Sequence, residues 1–149
     1  MKLSVEIEIL KPKEAVWIAI TDIKNSPNMI SSIISLEILN QPVKGLVDLK
    51  WQETREMFGK QASEIMWITD AVENEFYYTR AESHGSAYIT KMMIEGSGDN
   101  SVLSMTFNAV PQSFFVKIIS ACMSIFIKKM MLKALTQDLE DIKKFVESN

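Results

Sequence analysis

The chain has 149 residues, with 16 Lys and Arg against 19 Asp and Glu, a formal net charge of −3, one His and one Cys. That length suits one domain, residues 1–149, with a core of its own. The charge balance lacks any basic cluster or basic–aromatic interleaving and argues against nucleic acid as a partner. A lone thiol, Cys122, can form no internal disulfide.

The chain opens with Leu3, Val5, Ile7 and Ile9 alternating with Ser4, Glu6 and Glu8, a half-buried strand rather than a signal peptide. Pro12 suits the first turn of a helix over Lys13 to Asp22, with Val16, Trp17 and Ile20 on one side. Asn25, Ser26 and Pro27 break it, and a short second helical turn is expected around Met29 and Ile30. Ile34, Leu36 and Ile38 alternate again as a second strand up to Asn40, followed by a turn at Pro42 and Gly45.

Two extended runs, Leu46 to Met57 and Lys60 to Ala71, flank Phe58-Gly59. With those two residues as the loop, Arg55 opposes Ala62, Glu53 opposes Glu64, Trp51 opposes Met66 and Leu49 opposes Ile68. Further strands are expected over Glu75 to Ser83, Ala87 to Glu95 and Val102 to Val110, with turns at His84-Gly85-Ser86 and at Gly96 to Asn100. Pro111 ends the sheet. A long helix follows, with Leu132, Leu135, Leu139, Ile142 and Val146 on one face. Its first half is apolar nearly all round, yet the run from Phe114 spans only about fourteen residues with Lys117 inside, short of the ~20 of a membrane-spanning helix. A cytoplasmic, soluble protein is expected. The order is one strand, two short helices, six strands and one long helix, an α+β pattern in which a curved antiparallel sheet of about seven strands wraps one C-terminal helix.

This order resembles the helix-grip arrangement of the START-like (SRPBCC) superfamily, which includes the birch-pollen allergens. Local segments look like its polyketide cyclase/dehydrase-like branch, known from bacterial proteins. They are Glu14-Ala15-Val16-Trp17 through Asp22 with Pro27, Trp51-Gln52-Glu53-Thr54-Arg55, Phe58-Gly59-Lys60, Glu64-Ile65-Met66, Glu82-Ser83-His84-Gly85, and Lys133 through Leu139. The similarity covers essentially the whole chain. It implies a cavity between sheet and helix, and a cyclase or dehydratase as one function among several.

Three sets of residues carry candidate chemistry. On the hairpin register, Leu49, Trp51, Glu53, Arg55, Ala62, Glu64, Met66 and Ile68 share one face, assigned to the concave side. Glu53 and Glu64 then face each other, a repulsive pair unless a cation or shared proton intervenes. Arg55, diagonal to Glu64, could be that cation, or its fork could hold a ligand carboxylate or phenolate. The plainer reading is a salt-bridge cluster closing the wide end of the sheet. His84, the only histidine, could pair with Glu53 or Glu64 as acid and base, or be an ordinary turn residue. The loop near Glu73 to Glu75 leaves the register of Arg80 and Glu82 open by one residue, and a slip of one would reverse their face, so neither is placed. The third set is an apolar lining: Trp51, Met66, Tyr88, Met92, Met105 and Phe107 from the sheet, with Ile118, Cys122, Ile125 and Phe126 from the helix.

No His/Cys/Asp spacing suits a metal, and no Gly-rich loop leads from a strand into a helix to cradle phosphate; no cofactor is expected. Three functions remain in competition. One is binding of a small hydrophobic ligand (lipid, acyl or aromatic). Another is cyclase or dehydratase chemistry by His84 with Glu53 and Glu64. The last is a membrane-surface contact or homodimer through Phe114 to Met131, bordered by Lys117, Lys128, Lys129 and Lys133.

Overall fold

The structure is a computed structural model that describes the backbone of residues 1–112 and 114–149, and the side chains of residues 1–112 and 126–149. Seven strands form one antiparallel sheet: β1 (Lys2–Ile9), β2 (Ile33–Asn40), β3 (Lys50–Met57), β4 (Lys60–Val72), β5 (Phe76–Ser83), β6 (Ser86–Glu95) and β7 (Ser101–Pro111). Between β1 and β2 lie α1 (Lys13–Thr21), a single 3-10 turn (Ile23–Asn25) and the one-turn α2 (Ser26–Met29); the long α3 (Phe114–Glu147) closes the chain. The sheet order is β1-β7-β6-β5-β4-β3-β2, so the first two strands form its opposite edges. The fold is the expected α+β helix grip, with α3 lying across β1 and β7.

Local chemistry accounts for the meander. Phe58 and Gly59 both take left-handed φ (54° and 77°), as do His84 and Gly85 (51° and 75°). Two successive left-handed residues make the tight turn whose twist matches that of the flanking strands. The first turn pins β3 on β4 with Trp51 opposite Met66, Glu53 opposite Glu64 and Arg55 opposite Ala62.

Two irregularities bear directly on the walls of the site. β3 begins at Lys50 rather than Leu46, because Asp48 is left-handed (φ 75°) and interrupts the extended run. The ladder still reaches beyond the strand: Asp48 N donates to Ile68 O (2.9 Å) and Ile68 N to Leu49 O (3.0 Å). The second is a register shift between Ile68 and Asp70 in the β4–β5 pairing. It sets Met66 opposite Ala81 and Trp67 opposite Arg80, and so fixes which residues of β5 face inward.

The core lies between the concave face and the helices. Ile9, Ile68, Leu103, Leu139 and Ile142 are almost wholly buried, each contributing roughly 1.5–3 kcal/mol of hydrophobic stabilisation. From α1 come Val16, Trp17 and Ile20, with Trp17 edge-on to Tyr77 at 6.1 Å between ring centroids. The C-terminal end of α3 is fastened to the β1–α1 junction. Leu10 N donates to Glu147 Oε2 (2.8 Å), and Lys143 Nζ bonds both Glu8 O (2.8 Å) and Glu147 Oε2 (2.6 Å).

Candidate functional site

A cavity of about 490 Å³ opens between the concave face of the sheet and α3, inside the few-hundred to thousand Å³ range typical of small-molecule sites. Alternation along the strands decides its wall, because residues two apart share a face. β3 supplies Trp51, Glu53, Arg55 and Met57, and β4 supplies Ala62, Glu64 and Met66. Beyond them Tyr77, Thr79 and Ala81 come from β5, Tyr88 and Met92 from β6, and Met105 and Phe107 from β7. Ile23, Ile30 and Ile33 close one end, and Ile127, Met131, Leu135 and Asp138 of α3 form the roof. Most of this surface is apolar. Tyr88 and Phe107 stack with centroids 5.9 Å apart and planes 19° from parallel.

One charged cluster is embedded in that wall. Arg55 donates through Nε to Glu53 Oε2, and through Nη1 to Asp138 Oδ2 (2.8 Å) and Ser32 Oγ (2.9 Å). Trp51 Nε1 donates to the other Glu53 oxygen, Oε1, at 2.9 Å. Ser32 Oγ donates in turn to Asp138 Oδ1 (3.3 Å). The carboxylates of Glu53 and Asp138 are about 7% exposed, so both charges depend on the guanidinium between them. Burial alone would lower the Arg55 pKa, but the charges of Asp138 and Glu53 outweigh it and hold the group above its ordinary value. At Asp138 burial wins, raising the carboxyl's pKa despite the opposing pull of Arg55. Tyr77, whose hydroxyl donates to Ile20 O (3.2 Å), is raised by burial and then by the Glu53 charge. It is a fixed phenol, not a base.

Glu64 stands apart from this cluster. Ser83 Oγ donates to its Oε1 at 2.8 Å. Among the described residues no cation pairs with it.

Several solved structures share this architecture. A Thermus thermophilus protein matches at TM-score 0.81 with 15% identity, over 99% of this chain and 98% of its own. A START superfamily protein from Mycobacterium smegmatis matches at 0.80 with 16% identity, over 99% and 97%. The Zhui aromatase/cyclase of Streptomyces sp. R1128 matches at 0.70 with 11% identity, over 99% and 93%. The fold is the START-like helix grip. No protein-family profile matches the sequence, and no curated protein matches it significantly; the likeness lies in the START-like fold.

Set in that fold, the residues expected to matter separate clearly. Trp51, Arg55, Met66, Tyr88, Met92, Met105 and Phe107 line the cavity, and so do Glu53 and Glu64. Ile118, Cys122 and Ile125 lie outside the described side chains, as does most of the segment expected to meet a membrane or a second copy. Phe126 is 73% exposed and does not line the cavity; the next residue, Ile127, does.

His84 is a second correction. It is exposed at the tip of the β5–β6 turn, where its left-handed backbone is what the two-residue turn requires, and it lines no part of the cavity. The acid–base pairing of His84 with Glu53 or Glu64 is therefore not assembled. Nor does Arg55 pair with Glu64 across the diagonal: its ion pairs are with Glu53 and Asp138, and its remaining hydrogen bond goes to Ser32.

Asp138, Ser32, Tyr77 and Ser83 went unmarked in the sequence. Asp138 did leave a trace there: it falls between Leu135, Leu139 and Ile142, on the apolar face of α3. A carboxylate on such a face calls for a buried partner. Among the described residues, no group of three or more His, Cys, Asp or Glu side chains is arranged to hold a metal ion, and no helix is long and apolar enough to cross a membrane.

Proposed function

We propose that this chain binds a small hydrophobic molecule, of lipid, acyl or aromatic type, in the cavity between the sheet and α3. The observation that carries the proposal is the cavity itself: about 490 Å³, walled by Trp51, Met66, Tyr88, Met92, Met105 and Phe107, with polar groups confined to a few fixed positions. An apolar wall gives affinity through the surface it removes from water, while the few polar groups set orientation. The methionines add a lining that adapts to irregular shapes. Binding is favoured over chemistry because both oxygens of Glu53 are occupied, by Trp51 and Arg55, and His84 lies elsewhere.

Native mass spectrometry of freshly purified protein, followed by organic extraction, tests the reading. One equivalent of a lipid or aromatic adduct per chain is expected, and Phe107→Ala should weaken its retention by about tenfold, the equivalent of ~1.4 kcal/mol. A protein that emerges bare and takes up no neutral apolar dye would sink the proposal.

A further inference from the structure

We infer that the ligand carries a hydrogen-bond-donating head, a protonated amine or a hydroxyl, placed against Glu64, and that the cavity discriminates against carboxylates. This rests on the binding reading above and narrows it.

Among the described residues the wall holds three carboxylates, Glu53, Glu64 and Asp138, and one guanidinium, Arg55. That guanidinium already pairs with the first and last of the three, through Nε and Nη1, and only its Nη2 has no partner among the described residues. Protonating Asp138 would leave Glu53 balanced by Arg55 and Glu64 without a cation among the described residues, so the formal charge of the described wall is negative in either state. Met1 also reaches the lining, but its ammonium is exposed and donates to Ala109 O (3.1 Å) on β7, three places from β4 in the sheet. A charge in water at that remove is largely screened.

Glu64 is half-buried, its Oε1 is met only by a neutral hydroxyl, and its Oε2 accepts no hydrogen bond among the described residues. An ionised carboxylate accepts and does not donate. A ligand that completes it must therefore bring the proton. A second carboxylate would set like charges together in a partly dry site, whereas a head group carrying N–H or O–H supplies the missing donor. The aromatic wall is compatible with a cationic head as well, through the faces of Trp51 and Tyr88.

Three probes with one chain and different heads, namely dodecylamine, dodecan-1-ol and dodecanoate, test this by displacing the neutral dye N-phenyl-1-naphthylamine near neutral pH. The amine and the alcohol should displace the dye at concentrations at least about tenfold lower than dodecanoate does. In Glu64→Gln that gap should shrink to about threefold or less, which separates a local effect from the protein's overall negative charge. Dodecanoate binding as tightly as the amine, or a preference that survives Glu64→Gln, overturns the inference and leaves the binding reading standing. Failure of the wild-type protein to take up the dye removes both.

Discussion

Glu53 with Arg55 on β3 and Arg80 with Glu82 on β5 are the same construction: a carboxylate and an arginine two residues apart on one strand, joined through the arginine Nε. Their surroundings have nothing in common. The β3 pair faces the cavity, is roofed by Asp138, and leaves its carboxylates about 7% exposed. Arg80 and Glu82 lie on the other face, 31% and 46% exposed, with no third partner from another element among the described residues. In water an ion pair gains little over its separated parts; out of water each charge must have its counterpart. Position on the sheet, not the pair itself, decides whether such a motif is structural.

The comparison breaks most visibly at Asp138. Asp138→Ala should leave Arg55 and Ser32 without their helix partner, at a cost of about 3 kcal/mol, the lower end of the buried-pair range because a quarter of Arg55 remains exposed. Urea denaturation checks it: the midpoint should fall with little change in slope.

A smaller effect sharpens the contrast one turn along the same helix. The Asp141 carboxylate accepts from Ser31 N (2.9 Å), Ser31 Oγ (2.6 Å) and Gln137 Nε2 (3.1 Å). Its slight burial would raise the pKa, but the Ser31 hydrogen bonds prevail and lower it. A lowered folded-state pKa means stability that is complete above the ordinary carboxylate range and is lost as pH falls through the lower folded value. Asp141→Asn should therefore cost about 1 kcal/mol at neutral pH, and progressively less as acidification protonates the carboxylate. At Asp138 the sign reverses. With its pKa raised by burial, ionisation at higher pH opposes folding, and that penalty fades on acidification. Chemical denaturation across the acid range, wild type against each variant, distinguishes the two.

The least effect belongs to Arg80→Ala, which should shift stability by no more than about 0.5 kcal/mol and less still in high salt. A loss as large as that of Asp138→Ala would mean that exposure is not what separates the two pairs.

The same contrast explains how far the sequence could be read. Phe58-Gly59 is a turn of fixed geometry, so the β3–β4 register, and with it the shared face of Trp51, Glu53 and Arg55, followed directly. β5 offered no such anchor. The shift between Ile68 and Asp70 and the left-handed Asn74 (φ 62°) both precede it, and either one moves residues from face to face. Arg55 was a different problem. Its position was legible, but its partner lies 83 residues away on another element, and strand geometry alone pointed to Glu64. His84 drew notice as the single histidine, yet its place in the chain is explained by the backbone turn it occupies.

The walls of the cavity also differ in how far apart the chain makes them. β3–β4 and β5–β6 are joined by two-residue turns, and such hairpins close in about 1–10 μs. Pairing Lys2 with Asn108, docking Asp138 on Arg55 and tying Leu10 to Glu147 each join residues far apart in sequence, and contacts of that separation are the slow ones. The meander can exist early as a bare sheet, its inner face open to water or to any apolar molecule nearby. The space that α3 encloses is closed by contacts between residues more than 80 positions apart, the kind that forms slowly.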